Sequence, residues 1–90
     1  MSIEEAVCKV CNVTHEQIFS KNRQIDVVYA KFIYTKLKFN EGLTCKEIAE
    51  IMNVNYRTIT YNVQSFNDRL KFDSKLRIKY NEVKELLGYE

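Results

Sequence analysis

Residues 55–64 run Asn-Tyr-Arg-Thr-Ile-Thr-Tyr-Asn-Val-Gln, a stretch of hydrogen-bonding side chains interrupted by two aliphatics and free of carboxylates. If Ile59, Val63 and Phe66 mark the buried side of a helix, Tyr56, Arg57, Thr60, Tyr61 and Gln64 come round to the outer side, with Thr58 near its N-terminal edge. A face that only had to be soluble would mix glutamate with lysine. This one carries groups suited to base edges: arginine pairs bidentately with guanine, glutamine with adenine, and threonine methyl groups touch thymine. The chemistry expected of it is recognition of duplex DNA. Exposed tyrosines also suit a protein interface, so a partner contact through Tyr56, Tyr61 and Phe39 is the alternative from another class.

Other chemistry is weaker. Cys8 and Cys11 with His15 and Cys45 are four metal donors in principle, but their spacing matches no zinc finger. Cys8 and Cys11 fall three apart in a helical pattern, where they share an inner face as buried thiols. His15 reads as an exposed helix-start residue. No Ser-His-Asp set, no paired carboxylates and no G-x-x-x-x-G-K loop occur. The expectation is a non-enzyme with no metal, cofactor or small-molecule substrate.

The elements that position this face follow from caps and periodicity. Ser2 with Glu5, Thr14 with Gln17 and Thr44 with Glu47 are capping-box pairs. The first opens a helix with Ile3, Val7 and Val10 inward, the second a short helix carrying Ile18 and Phe19. After the polar loop 20–24, the longest helix is expected from Ile25 to about Asn40. Val28, Phe32 and Leu37 are among its apolar positions, and Val27, Ala30, Ile33 and Tyr34 widen the stripe. It is expected to be central and to end at Gly42. The third box opens a helix with Ile48, Ala49, Ile51 and Met52 inside. Asn53 suits a left-handed turn, Val54 would plug the corner, and Asn55 caps the next helix, whose Ile59, Val63, Phe66 and Leu70 make one stripe. A last helix spans about Ser74 to Leu87, with Leu76, Tyr80, Val83 and Leu87 inward. Tyr29 and Tyr34 are expected to pack along the core with Tyr80.

Ninety residues with no proline and two glycines therefore give one all-α domain, 1–90, of about six helices around a helix-turn-helix. Net charge is only +2, yet residues 21–38 hold five cations (Lys21, Arg23, Lys31, Lys36, Lys38) against Asp26 alone. One side can thus be positive on a nearly neutral domain. No apolar run approaches the roughly 20 residues of a membrane span, and the acidic start Met-Ser-Ile-Glu-Glu is unlike a secretory signal. A cytoplasmic, nucleoid-associated protein is expected.

The run VCKVCNVTHEQIFSKNRQIDVVYAKFIYTKL, residues 7–37, resembles the start of the C-terminal DNA-binding domain of the bacterial replication initiator DnaA. The order is the same: amphipathic helix, V-T-x-E-x-I short helix, SK-x-R loop, long helix. The similarity continues to the last helix. It implies a Trp-repressor-like helical bundle, with Arg23 of the loop reaching the minor groove and Lys31 on the long helix contacting DNA. The helix-turn-helix departs from the family pattern: Asn55-Tyr56-Arg57-Thr58 stands for D-H-T/S-T, with Thr58 identical, and the turn is one residue shorter. The absent phosphate-binding loop implies the DNA-reading module without its ATPase. Residues 42–70 are also similar to the LuxR-type output domain, at Gly42, Leu43, Thr44, Lys46 to Ala49, Arg57, Thr58, Val63 and Leu70. Both resemblances imply double-stranded DNA as partner, one in replication and the other in transcription; the sequence leaves monomer and homodimer open. The expected contacts are Tyr56, Arg57, Thr58, Thr60, Tyr61 and Gln64 toward the major groove, Asn55 among the DNA-binding residues at the start of the helix, and Lys21, Lys31 and Lys46 on phosphates.

Overall fold

Side-chain caps start most of the helices. The computed structural model describes residues 2–21 and 23–88, and among these it contains six helices and no strand. They are α1 (Ile3–Cys11), α2 (His15–Ile18), α3 (Ile25–Asn40), α4 (Cys45–Met52), α5 (Tyr56–Phe72) and α6 (Ser74–Leu87). Ser2, Thr14, Thr44, Asn55 and Asp73 each accept a backbone N–H of the first turn of α1, α2, α4, α5 and α6. Only α3 begins without such a cap, at Gln24. The Thr14–Gln17 and Thr44–Glu47 pairs are complete capping boxes, with both reciprocal bonds between 2.9 and 3.2 Å. Ser2 makes half of one. It accepts from the Glu5 N–H at 3.1 Å, but the Glu5 carboxylate accepts from the Ser2 hydroxyl rather than reaching the Ser2 backbone.

The stops are equally local. Asn12 and Asn53 adopt the same left-handed conformation, φ 56° and ψ 48°. After each, a valine N–H closes the helix end: Val13 donates to the Cys8 carbonyl at 3.1 Å, and Val54 to that of Ala49 at 3.0 Å. Asparagine is the residue other than glycine that visits this region most readily. Gly42, at φ 104°, ends α3 in the same way, with Leu43 donating to Lys38.

The helix α3 runs through the middle and packs against each of the other five. Its buried side chains are Val27, Tyr29, Ala30, Ile33, Tyr34, Thr35 and Leu37. Phe66 of α5 meets Tyr80 of α6 edge-to-face at 4.9 Å, and Phe19 meets Tyr34 likewise at 5.5 Å. Polar ties fasten outer helices to α3. Glu4 of α1 accepts from Lys38 (3.1 Å) and from the Tyr34 hydroxyl (3.3 Å). The Tyr29 hydroxyl donates to Asp73 at 2.8 Å, while the other oxygen of Asp73 caps α6 through the Leu76 N–H.

Several expectations are corrected. The longest helix is α5 with 17 residues, one more than α3. Val28 and Phe32 are half-buried, and the residues that only widened the α3 stripe form its deepest contacts, because a helix surrounded by five others has no single inner face. Ile51 is 48% exposed, since Ile48, Ala49 and Met52 occupy the inner face of α4 and Ile51 falls on its flank. Val54 is 44% exposed, turned outward by the left-handed Asn53; buried Met52 and Ile59 fill the corner instead. Cys11 is buried but Cys8 only partly so, and Phe19 follows α2 rather than belonging to it. No helix among the described residues is long and apolar enough to cross a membrane.

Candidate nucleic-acid interface

The fourth and fifth helices meet at the Asn53-Val54-Asn55 turn and pack against each other, with Ile59 and Phe66 buried beneath α5. Asn55 sets the N-terminus of α5 by accepting from the Arg57 N–H at 2.9 Å. With Ile59 inward, Arg57, Tyr61 and Gln64 stand on the opposite face and are exposed, as are Tyr56 and Thr58. Thr60 lies on the flank, half-buried, and its hydroxyl donates to the Tyr56 carbonyl at 3.0 Å. The outer stripe next reaches Asp68, so the acid-free part of α5 is its N-terminal half.

The face has two differently equipped flanks. On one, Tyr56 lies beside Lys46, whose ammonium sits 5.8 Å from the tyrosine ring centre, in a shallow groove with Ala49, Glu50, Asn53 and Val54. On the other, Thr58 and Asn62 of α5 border a cleft of about 420 Å³ together with Ser20, Lys21, Arg23 and Lys31. Met52, Val54 and Ile59 give that cleft an apolar wall, and no carboxylate among the described residues lines it. Lys31 donates to the Ser20 carbonyl, which ties α3 to the loop after α2. Burial pushes the Lys31 ammonium below its ordinary pKa and the charge of Arg23 pushes it further, so the two cations feel each other.

The five-cation run therefore divides. Lys21, Arg23 and Lys31 gather at the cleft. Lys38 is taken up by Glu4 and Glu41, and Lys36 lies over the rings of Phe39 and Phe66 at 5.9 Å, so both serve packing. The expected interface residues thus fall on one helix face and its two flanks. Tyr56 and Tyr61, paired in the protein-interface alternative, line different grooves. Asn62 was not foreseen, although its place one turn after Thr58, on the same flank, was available from the spacing. Nor was Phe72, 89% exposed at the end of α5, which shares a groove of about 740 Å³ with Tyr29, Tyr61, Arg69 and Lys75.

No three His, Cys, Asp or Glu side chains among the described residues are placed to hold a metal ion. The Cys11 thiol is pushed up to about 11 by burial, the state of an unreactive core thiol. The class defined by these features is an all-α domain, with six helices among the described residues, carrying a helix-turn-helix whose second helix is acid-free on the outer face of its N-terminal half. No protein-family model, curated protein or solved structure matches the chain.

Proposed function

We propose that this chain is a sequence-reading module for double-stranded DNA, acting without catalysis and without a cofactor. In this reading the N-terminal half of α5 lies in the major groove, as the second helix of helix-turn-helix proteins does. Arg57, Thr58, Tyr61 and Gln64, with Tyr56, Thr60 and Asn55 at the margins, face base edges and the adjoining backbone. Arg23 enters the adjacent minor groove, and Lys21, Lys31 and Lys46 hold phosphates. The observation that carries the reading is the acid-free face of the N-terminal half of α5 standing directly beside a cleft lined, among the described residues, by three cations and no carboxylate. The resemblance to the DnaA C-terminal domain, and that of residues 42–70 to LuxR-type output domains, support DNA as the partner. They apply to replication and transcription alike. A Trp-repressor-like arrangement and a nucleoid location belong to the same proposal.

A protein partner or second copy, alongside DNA, is favoured by one observation. Ile25, Tyr61, Phe72 and Ile78 are all more than half exposed, and they border two neighbouring grooves that share Tyr29 and Lys75.

The test is fluorescence anisotropy of the purified chain with a random-sequence duplex pool at two salt concentrations, followed by sequencing of the bound fraction. Salt-sensitive binding with an enriched short motif is the expected result. Absence of binding at low salt refutes the reading and leaves the polar face of α5 to a protein partner.

A further inference from the structure

Between a major groove and the minor groove next to it runs a single sugar–phosphate backbone. In the proposed reading α5 occupies the first groove and Arg23 the second, and both border the same cleft. The intervening backbone must therefore pass over that cleft. Its volume of about 420 Å³ is more than ten times the roughly 30 Å³ share of a water molecule, which leaves room for a phosphodiester with its waters. Lys21, Arg23 and Lys31 supply positive charge from the α2–α3 side, and Thr58 and Asn62 supply neutral hydrogen-bonding groups from the α5 side. Asn62 is half-buried, and among the described residues no hydrogen bond engages its side-chain amide. An amide carries two donors, which suits phosphate oxygens.

We propose that this cleft is a seat for one backbone phosphate, with Asn62 as the donor that fixes the register of α5 against the strand. The proposal rests on the duplex-binding reading and adds to it a residue and a defined contact. The ligand chemistry is a phosphate oxyanion, and the source assigned is the DNA strand. Asn62 acts by holding the backbone where the neighbouring side chains meet base edges.

The test measures affinity and salt dependence of the full chain on duplex DNA for wild type, Asn62→Ala, Asn62→Asp and the control Asn67→Asp. Asn67 is exposed on the same helix but outside the cleft, so it delivers the same charge change elsewhere. Asn62→Ala is expected to weaken binding about tenfold, the value of a hydrogen bond to a charged group. Its plot of log affinity against log salt keeps the wild-type slope, because no cation is lost. Asn62→Asp is expected to weaken binding further and to lower that slope by about 0.9, the share of one phosphate contact. Asn67→Asp is expected to change affinity less than about threefold, through screened charge alone. Circular dichroism of each variant establishes that the helices are intact.

Wild-type binding with Asn62→Ala at full affinity, or with Asn62→Asp no worse than Asn67→Asp, overturns the phosphate seat and leaves the duplex reading in place. A wild type without salt-sensitive duplex binding overturns both. Inorganic phosphate, replacing chloride at equal ionic strength, separates the sources. If it competes with duplex while Asn62→Ala keeps full duplex affinity, the cleft takes free phosphate and the backbone assignment fails.

Discussion

Replacing Arg57 by alanine should weaken DNA recognition while leaving the protein at least as stable. Arg57 is the second residue of α5, and its guanidinium makes no hydrogen bond or ion pair with another described residue. It also lies at the positive end of the helix dipole, in a first turn with no acid. A cation there is unfavourable by about 0.3–1 kcal/mol, and alanine is the best helix former. Arg57→Ala should therefore raise the unfolding free energy by a few tenths of a kcal/mol up to about 1 kcal/mol. On DNA, one bidentate arginine–guanine pair discriminates by roughly 1–3 kcal/mol, or about 5- to 150-fold in affinity. The assay pairs urea unfolding with anisotropy on two duplexes, the enriched motif and the same sequence scrambled. The motif should lose most of its preference, while the scrambled duplex loses only the share of one charge. Lys31→Ala is the counterpart. It should weaken both duplexes alike and lower the salt slope by about 0.9. Equal losses on both duplexes for Arg57→Ala, or a protein destabilised by more than about 1 kcal/mol, would refute the argument.

Other outcomes follow from the fold. Asn53→Ala places an ordinary side chain at φ 56° and should cost about 1–2 kcal/mol, visible in thermal melts, whereas Asn53→Gly should be tolerated. Partial burial alone would raise the Glu4 pKa, but its own backbone N–H, Lys38 and Tyr34 outweigh that and hold it below its ordinary value. A depressed folded-state pKa stabilises above the unfolded pKa and is lost as pH falls through the folded value. Glu4→Gln should therefore cost about 1 kcal/mol near neutrality and nothing once the pH is below the folded pKa, read from urea midpoints across the acid range. Cys11, with its thiol at about 11, should resist a thiol reagent at pH 8 until urea unfolds the chain, and rapid native labelling at Cys11 would contradict its burial.

Helix boundaries were legible because short side chains mark them. Thr14, Thr44, Asn53, Asn55 and Gly42 act on backbone groups within a few residues, so their effect is written locally. The outer face of α5 was legible for a similar reason, since one clean stripe through Ile59, Val63 and Phe66 orients the whole helix. Faces set by distant partners were not. The helix α3 carries apolar residues all round, and the choice between Val28 and Val27, or Phe32 and Ile33, is made by five neighbours at once. Ile51 and Val54 looked like core residues by type, but the flank of a two-turn helix and a left-handed corner turn them outward. The cleft was illegible for the same physical reason: Ser20, Lys21 and Arg23 meet Thr58 and Asn62 only after α2, α3 and α5 have packed. The link from Tyr29 to Asp73 joins residues 44 apart.

Because α3 touches all five other helices, no helix can leave the bundle without uncovering part of the same apolar rod. Local opening then has little to gain over opening everything, and the free energies for opening separate parts converge on the global value. Hydrogen exchange in the centre of α3 should proceed only through complete unfolding, with α1 and the buried side of α5 close behind. A cavity cut at Val7, on the first helix, would thus be felt in the exchange of α5. The fifth helix thus draws its rigidity from side chains at the other end of the sequence.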